Sequence, residues 1–371
     1  MMRRLNIRMR RIRKNLLIES IAVGFFLILL LFASVPKFLR AQNINTPAHF
    51  PDPKFREVVE KLMGVEPGGR FYAVEAEEKT GVLECSMRNI EDLKGIEFFP
   101  NLTRLHCSQN RLRSLDLSKN AALQILRCNE NRLTELDFSR NPQLKEVYCN
   151  KNRLQSIILE NNESLLTLAC LENEIAALDL QEAPNLKNLY CAANQIDALD
   201  LSKSSALEEL DCSRNMITGL NLKHCPHLKA ASCSDNLLRE LDLSHNAALE
   251  SISCASNFLT QLDLSKTSVR LLDCRRNQID KILLSEKSST QYFNCSHNNI
   301  ADIDPLFHGF KGVFPAAFDI RSNELSIVEL EKIRAAMKDM HKRGITTSDI
   351  QYWPQNSLDE TEIPETWFVD G

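Results

Sequence analysis

From Leu102 to Asn298 the apolar positions return in one fixed order. A copy reads Leu102, Leu105, Cys107, Asn110, Leu112, Leu115, Leu117, and five copies later Leu207, Leu210, Cys212, Asn215, Ile217, Leu220, Leu222. The frame is L-x-x-L-x-C-x-x-N-x-[LI]-x-x-[LI]-x-[LF]. Cys107, Cys128, Cys149, Cys170, Cys191, Cys212, Cys233 and Cys254 stand 21 residues apart, Cys274 follows after 20 and Cys295 after 21, and Cys85 precedes Cys107 by 22. In Leu105-His106-Cys107 the alternation has period two, so a short strand is predicted with Leu and Cys inward and His outward. The asparagine three places after each cysteine falls where the chain leaves that strand. Its amide can satisfy backbone groups otherwise stranded in a buried turn, and stacked copies would align these amides into a ladder. Leu115–Ser118, repeated as Leu199–Ser202 and Leu241–Ser244, predicts a second short extended segment on the opposite flank.

A repeat of this length, with one face per copy that cannot be buried alone, specifies a solenoid. The pattern is the leucine-rich-repeat frame with cysteine in its third apolar slot. The expected fold is therefore a leucine-rich-repeat solenoid with a parallel β-sheet on the concave face. Short extended or turn segments are expected on the convex face, because 21 residues leave no room there for a full helix. Helical caps are expected at both ends. Residues 81–325 hold about 12 coils of ~21 residues. Residues 42–80 are expected as a linker, extended over Asn43–Pro51, followed by a helical cap. Asp52-Pro53 supplies an N-cap and a first-turn proline, and Phe55, Val58, Val59, Leu62 and Met63 keep helical spacing up to Gly64. Residues 326–371 are expected as a C-terminal helical cap and an acidic tail. Ser326 and Glu329 have the spacing of a capping box, and a helix runs to about Arg343. Ile320 takes the cysteine slot of one further coil, and Ile350–Trp353 is expected to add a last strand.

Residues 1–41 hold nine Lys/Arg and one Glu, and Ile21–Val35 is uncharged. A basic stretch followed by an apolar run of that length predicts a signal peptide; the alternative is an uncleaved signal anchor over Leu16–Val35, twenty positions interrupted by Glu19. Either places the body outside the cytoplasm, whether at the cell surface, secreted or periplasmic. Membrane contact is expected only through this segment, if it is uncleaved. The remainder carries 36 basic against 48 acidic residues, a net charge of −12. Nucleic-acid binding, which needs clustered positive charge, is not expected.

Eleven of the twelve cysteines lie on one row. Rungs about 4.8 Å apart aim successive Cβ atoms the same way, leaving them beyond the usual disulfide separation of about 3.5–4.5 Å. A straight row also offers no tetrahedron for zinc. Packing as small apolar groups is the reading this geometry favours, and no metal or cofactor is expected. Cys225 lies off the row within His224-Cys225-Pro226-His227; a degenerate turn is favoured over a metal site, with Cys225 expected as the most accessible thiol. No G-x-S-x-G, P-loop, H-E-x-x-H or Cys/His quartet occurs, and no catalytic residue is assigned.

The residues just before each cysteine form the central outward row. Arg127, Tyr148, Tyr190 and Asp211 lie on it, and Leu171, one place past Cys170, is expected to be exposed between the tyrosines. Tyrosine and arginine are favoured in interface cores, so these five residues are the expected protein-binding patch.

The frame with Cys in the third apolar slot and Asn three later resembles the bacterial internalin-type leucine-rich-repeat proteins, specifically the internalin J-like group with a cysteine ladder. The resemblance covers roughly Asp52–Leu325, including an opening similar to the internalin helical cap. It implies an extracellular or envelope-exposed module that binds host or neighbouring-cell molecules through its concave sheet. The sequence departs from internalins in having neither an immunoglobulin-like module after the array nor a C-terminal wall-sorting signal. Secretion, periplasmic residence and membrane tethering all stay open, as does a structural envelope protein with a same-cell partner.

Overall fold

A computed structural model describes residues 42–285, 290–310, 314–345, 349–353 and 355–356. Residues 1–41, expected as a signal peptide or signal anchor, and the acidic tail beyond residue 356 lie outside the described residues. A thirteen-stranded parallel sheet runs from Gly81–Glu84 to Asp349–Gln351, each strand pairing with the next coil's. Leu105 and Cys107 are buried while His106 faces outward, half-exposed. The ladder continues through the cysteines: Cys107 N–H donates to the Arg127 carbonyl at 2.8 Å.

The asparagine ladder is present. Asn131 Nδ2 donates to the carbonyls of Cys128 (3.1 Å) in its own coil and Cys107 (3.0 Å) in the coil before, while its Oδ1 accepts from Leu112 N–H at 3.1 Å. The same arrangement recurs to Asn323, where Ile320 replaces cysteine. Two residues after each cysteine of the 21-residue row the backbone turns left-handed. From Gln109 and Glu130 to Arg276 and His297, φ lies between 53° and 56°, and none of these residues is glycine.

A second asparagine row lies at the convex turns. Asn141 Nδ2 donates to Leu117 and Asn120 carbonyls, both at 3.0 Å, and Asn246 Nδ2 donates to Cys225 at 2.9 Å. Cys225 occupies this row and is fully buried, not the accessible thiol its position suggested. Its small apolar side chain fills the interior slot an asparagine amide holds elsewhere. The convex face carries two short parallel pairs, Glu135–Asp137 with Ser156–Ile158 and Gln261–Leu264 with Lys281–Leu284.

At the N-terminal end, helix α1 (Pro53–Met63) is capped by Asp52, whose Oδ1 accepts from Lys54 and Phe55 N–H. Its other oxygen accepts from Glu91 N–H at 2.6 Å, tying the cap to the first coil. The Asn43–Pro51 segment is not a free linker. Ile44 and Phe50 are buried, and Asn43 bridges Tyr72 just before a second short helix, α2 (Ala73–Glu77), that periodicity did not indicate. Phe50 meets Phe55, Phe71, Phe98 and Phe99 with ring centroids 5.8–6.5 Å apart.

Toward the C-terminus, helix α3 (Asp304–Phe310), also unexpected, packs Gly309 against Leu284. Helix α4 (Ile327–Lys342) buries Leu330, Ile333 and Met340. Ser326 caps it by accepting from Glu329 N–H, but the capping box is only half formed. The Glu329 carboxylate turns instead to Ile303 N–H at 3.0 Å, joining helix to coil. The expected last strand spans Asp349–Gln351.

Candidate protein-binding surface

Parallel register places Arg127, Tyr148, Ala169, Tyr190 and Asp211 side by side on successive rungs. The two tyrosines therefore stand two rungs, about 10 Å, apart. Ala169 between them is buried although it points to the outward side. The Arg127 guanidinium lies over the Tyr148 ring, 5.2 Å from its centroid, a cation–π arrangement. Tyr148 Oη donates to Glu146 at 3.1 Å, and Tyr190 Oη donates to Glu209. Partial burial, then the hydrogen bond to Glu146, raises the Tyr148 phenol's pKa; the same causes, with Glu209, push Tyr190 up to about 12. Both rings stay neutral and held in place at physiological pH. Asp211 is fixed as well, accepting from Ser213 N–H (3.1 Å) and Oγ (2.6 Å).

Leu171 corrects the expectation of an exposed side chain, for it is half-buried. It stands between the Asn150 and Ala192 rungs, and its N–H is taken by Asn150 Oδ1 at 2.8 Å. Four of the five expected residues thus form one continuous row, with Leu171 at its margin.

A feature missed from sequence lies five rungs further along. Arg275, Arg276, Tyr292, His297, Asp319 and Arg321 help line a concave basin of about 480 Å³. Arg321 forks onto Asp319, with Nε and Nη2 at 3.0 and 2.9 Å from its two oxygens. The signal was available: arginine or histidine recurs one or two places after the cysteine slot in three successive coils.

No family model matches the chain, and no curated protein matches it in sequence. Solved structures do. An internalin (InlF) of Listeria monocytogenes aligns with 87% of this chain and 100% of its own, at TM-score 0.60 and 16% identity. Internalin C2 of the same species covers 58% of this chain and 98% of its own, at TM-score 0.52 and 21% identity. The fold is a leucine-rich-repeat solenoid, similar to those of the internalins. The octameric complex of Latrophilin 3, Unc5D and FLRT2, in which FLRT2 supplies the leucine-rich repeat, gives TM-score 0.60 at 18% identity, over 76% of this chain and 92% of that one.

Within this leucine-rich-repeat solenoid all twelve thiols are free and buried. Desolvation pushes Cys128 and Cys170 up to about 12 and Cys225 up to about 11, which removes the thiolate needed for reactivity. Among the described residues one carboxylate trio, Asp302, Asp304 and Glu329, could hold a cation. The Lys332 ammonium already reaches Asp304 and Glu329, each at 2.9 Å.

Proposed function

We propose that this chain is an exported, non-catalytic recognition module that binds a protein partner on its concave sheet through Arg127, Tyr148, Leu171, Tyr190 and Asp211. The supporting observation is the in-register row itself. Its side chains differ from rung to rung, whereas the buried positions repeat. Two aromatic rings on it are tethered by hydrogen bonds, so little freedom remains to be lost on binding. Structural neighbours include leucine-rich-repeat chains solved within protein complexes, LRIM1/APL1C and the FLRT2 assembly, which supports a protein ligand. The internalin likeness favours a host or neighbouring-cell partner and display at the cell surface or secretion. The second reading is an envelope scaffold with a partner in the same cell, favoured if Leu16–Val35 stays uncleaved as an anchor.

Affinity capture with the intact exported protein, followed by binding measurements on Tyr148→Ala/Tyr190→Ala, tests the surface. Weakened binding at unchanged melting temperature is expected; unchanged affinity removes the row from the interface. Protease shaving of intact cells separates the two settings, since only a surface-displayed module is clipped.

A further inference from the structure

We propose that the basin at the C-terminal end of the concave sheet is an anion subsite that takes a carboxylate side chain from an acidic segment of the protein partner. The inference rests on the concave face being a protein-binding surface and adds the chemistry of a second contact.

Three arginines and a histidine converge there from three successive coils. Arg275 and Arg276 follow Cys274, His297 stands two places past Cys295, and Arg321 follows Ile320 in the cysteine slot. Arg276 and His297 hold equivalent left-handed positions, each with φ of 56°. Arg276 N–H donates to the Ser296 carbonyl and His297 N–H to Arg321, so their backbones lie on adjacent rungs, about 5 Å apart. Arg321 is oriented by its fork onto Asp319. Arg275 is held loosely, its Nε 3.6 Å from Asp273. Among the described residues no carboxylate pairs with Arg276 or His297, so their donors face the basin uncommitted.

The surroundings narrow the ligand. Glu146, Glu209 and Asp211 lie along the neighbouring rungs of this face, Asp273 and Asp319 are met by Arg275 and Arg321, and Asp349 also lines the basin, which leaves Arg276 and His297 as its unpaired donors. A polyanion such as nucleic acid would meet those carboxylates along its length, whereas a single acidic side chain needs only the basin. About 480 Å³ accommodates one or two side chains rather than a helix. Five rungs separate the Tyr190 strand from the Tyr292 strand, about 24 Å. A partner of ordinary interface size, about 800 Å² a side, spans both.

The probe is a fluorescein-labelled tetraglutamate peptide with blocked termini, read by anisotropy against its tetraglutamine counterpart and against glucuronate. The glutamate peptide is expected to bind the intact protein, to weaken as salt rises, and to lose about three- to tenfold in Arg276→Ala/His297→Ala, the scale of two solvent-exposed charge contacts. Both side chains are exposed, and the melting temperature is expected to hold. Equal binding of the glutamate and glutamine peptides, or no change in the double variant, overturns the proposal. Tighter binding of glucuronate than of the peptide overturns the assignment to a protein segment. Tyr148→Ala/Tyr190→Ala keeps the two ideas apart. It leaves peptide binding intact, so loss or retention of the partner in that variant reports on the aromatic row alone.

Discussion

The side-chain amide of Asn131 reaches back to the carbonyl of Cys107, 24 residues earlier, at 3.0 Å. The same NH₂ also serves Cys128, and its carbonyl oxygen takes the Leu112 N–H. One buried side chain thus stitches two coils at the point where strand backbone turns away. Asn131→Ala leaves the buried Leu112 N–H without its acceptor, at about 1–3 kcal/mol, while the Cys107 and Cys128 carbonyls each keep a second amide donor, from Asn110 and Asn152, both at 3.0 Å. The expected loss is about 2 kcal/mol, measured by denaturant unfolding. A change under 1 kcal/mol would mean that water replaces the amide.

Alkali should unfold this protein through its cysteine ladder. Folded Cys128 and Cys170 titrate at about 12 and Cys225 at about 11, all raised by burial. In the unfolded chain a thiol ionises near about 8.5. The folded state therefore holds more protons than the unfolded one above that pH. Stability from each thiol is complete below pH of about 8.5 and declines by about 1.4 kcal/mol per pH unit up to the folded pKa. Urea midpoints collected from pH 7 to 11 should fall steeply above 9, and less steeply in Cys170→Ala. A flat profile would show that the thiols are not desolvated. At neutral pH a thiol reagent should modify none of the twelve, Cys225 included, until the chain unfolds.

Ala193 occupies the left-handed turn position with φ of 54° and has no polar side chain to compensate. An L-residue there is strained by about 1–2 kcal/mol, partly offset by the greater entropy a glycine loses on folding. Ala193→Gly should raise stability by up to about 1 kcal/mol, whereas the same change in a strand lowers it. Thermal melts of Ala193→Gly and of Ala231→Gly, in the strand Ala230–Ser232, test the contrast side by side.

Gly95 lies over Phe50 with φ of 106°, and a Cβ there would sit 2.2 Å from the ring. Gly95→Ala combines a forbidden backbone with a clash against a fully buried aromatic residue. About 3 kcal/mol or more should be lost, with hydrogen exchange accelerating first in α1 and the first coil. Uniform loosening of the whole array would contradict the cap's role as a local lid.

What the sequence by itself determined is each residue's place within a coil. Period two sends Leu105 and Cys107 inward and His106 outward, and the 21-residue period puts Tyr148 and Tyr190 on one row. Asp52-Pro53 and Ser326 start helices because capping depends on only a few neighbouring residues. Contacts made across coils or outside the repeat were decided by the tertiary structure. The burial of Cys225, the half-burial of Leu171, the seat of Phe50 under Gly95 and the grouping of Arg276 with His297 and Arg321 all belong there. So does the left-handed turn after every cysteine of the row, which no glycine announces. The physical reason is range: alternation and capping act over one to four residues along the chain, whereas burial and charge pairing depend on side chains 20 or more residues away, brought together only once the coils stack.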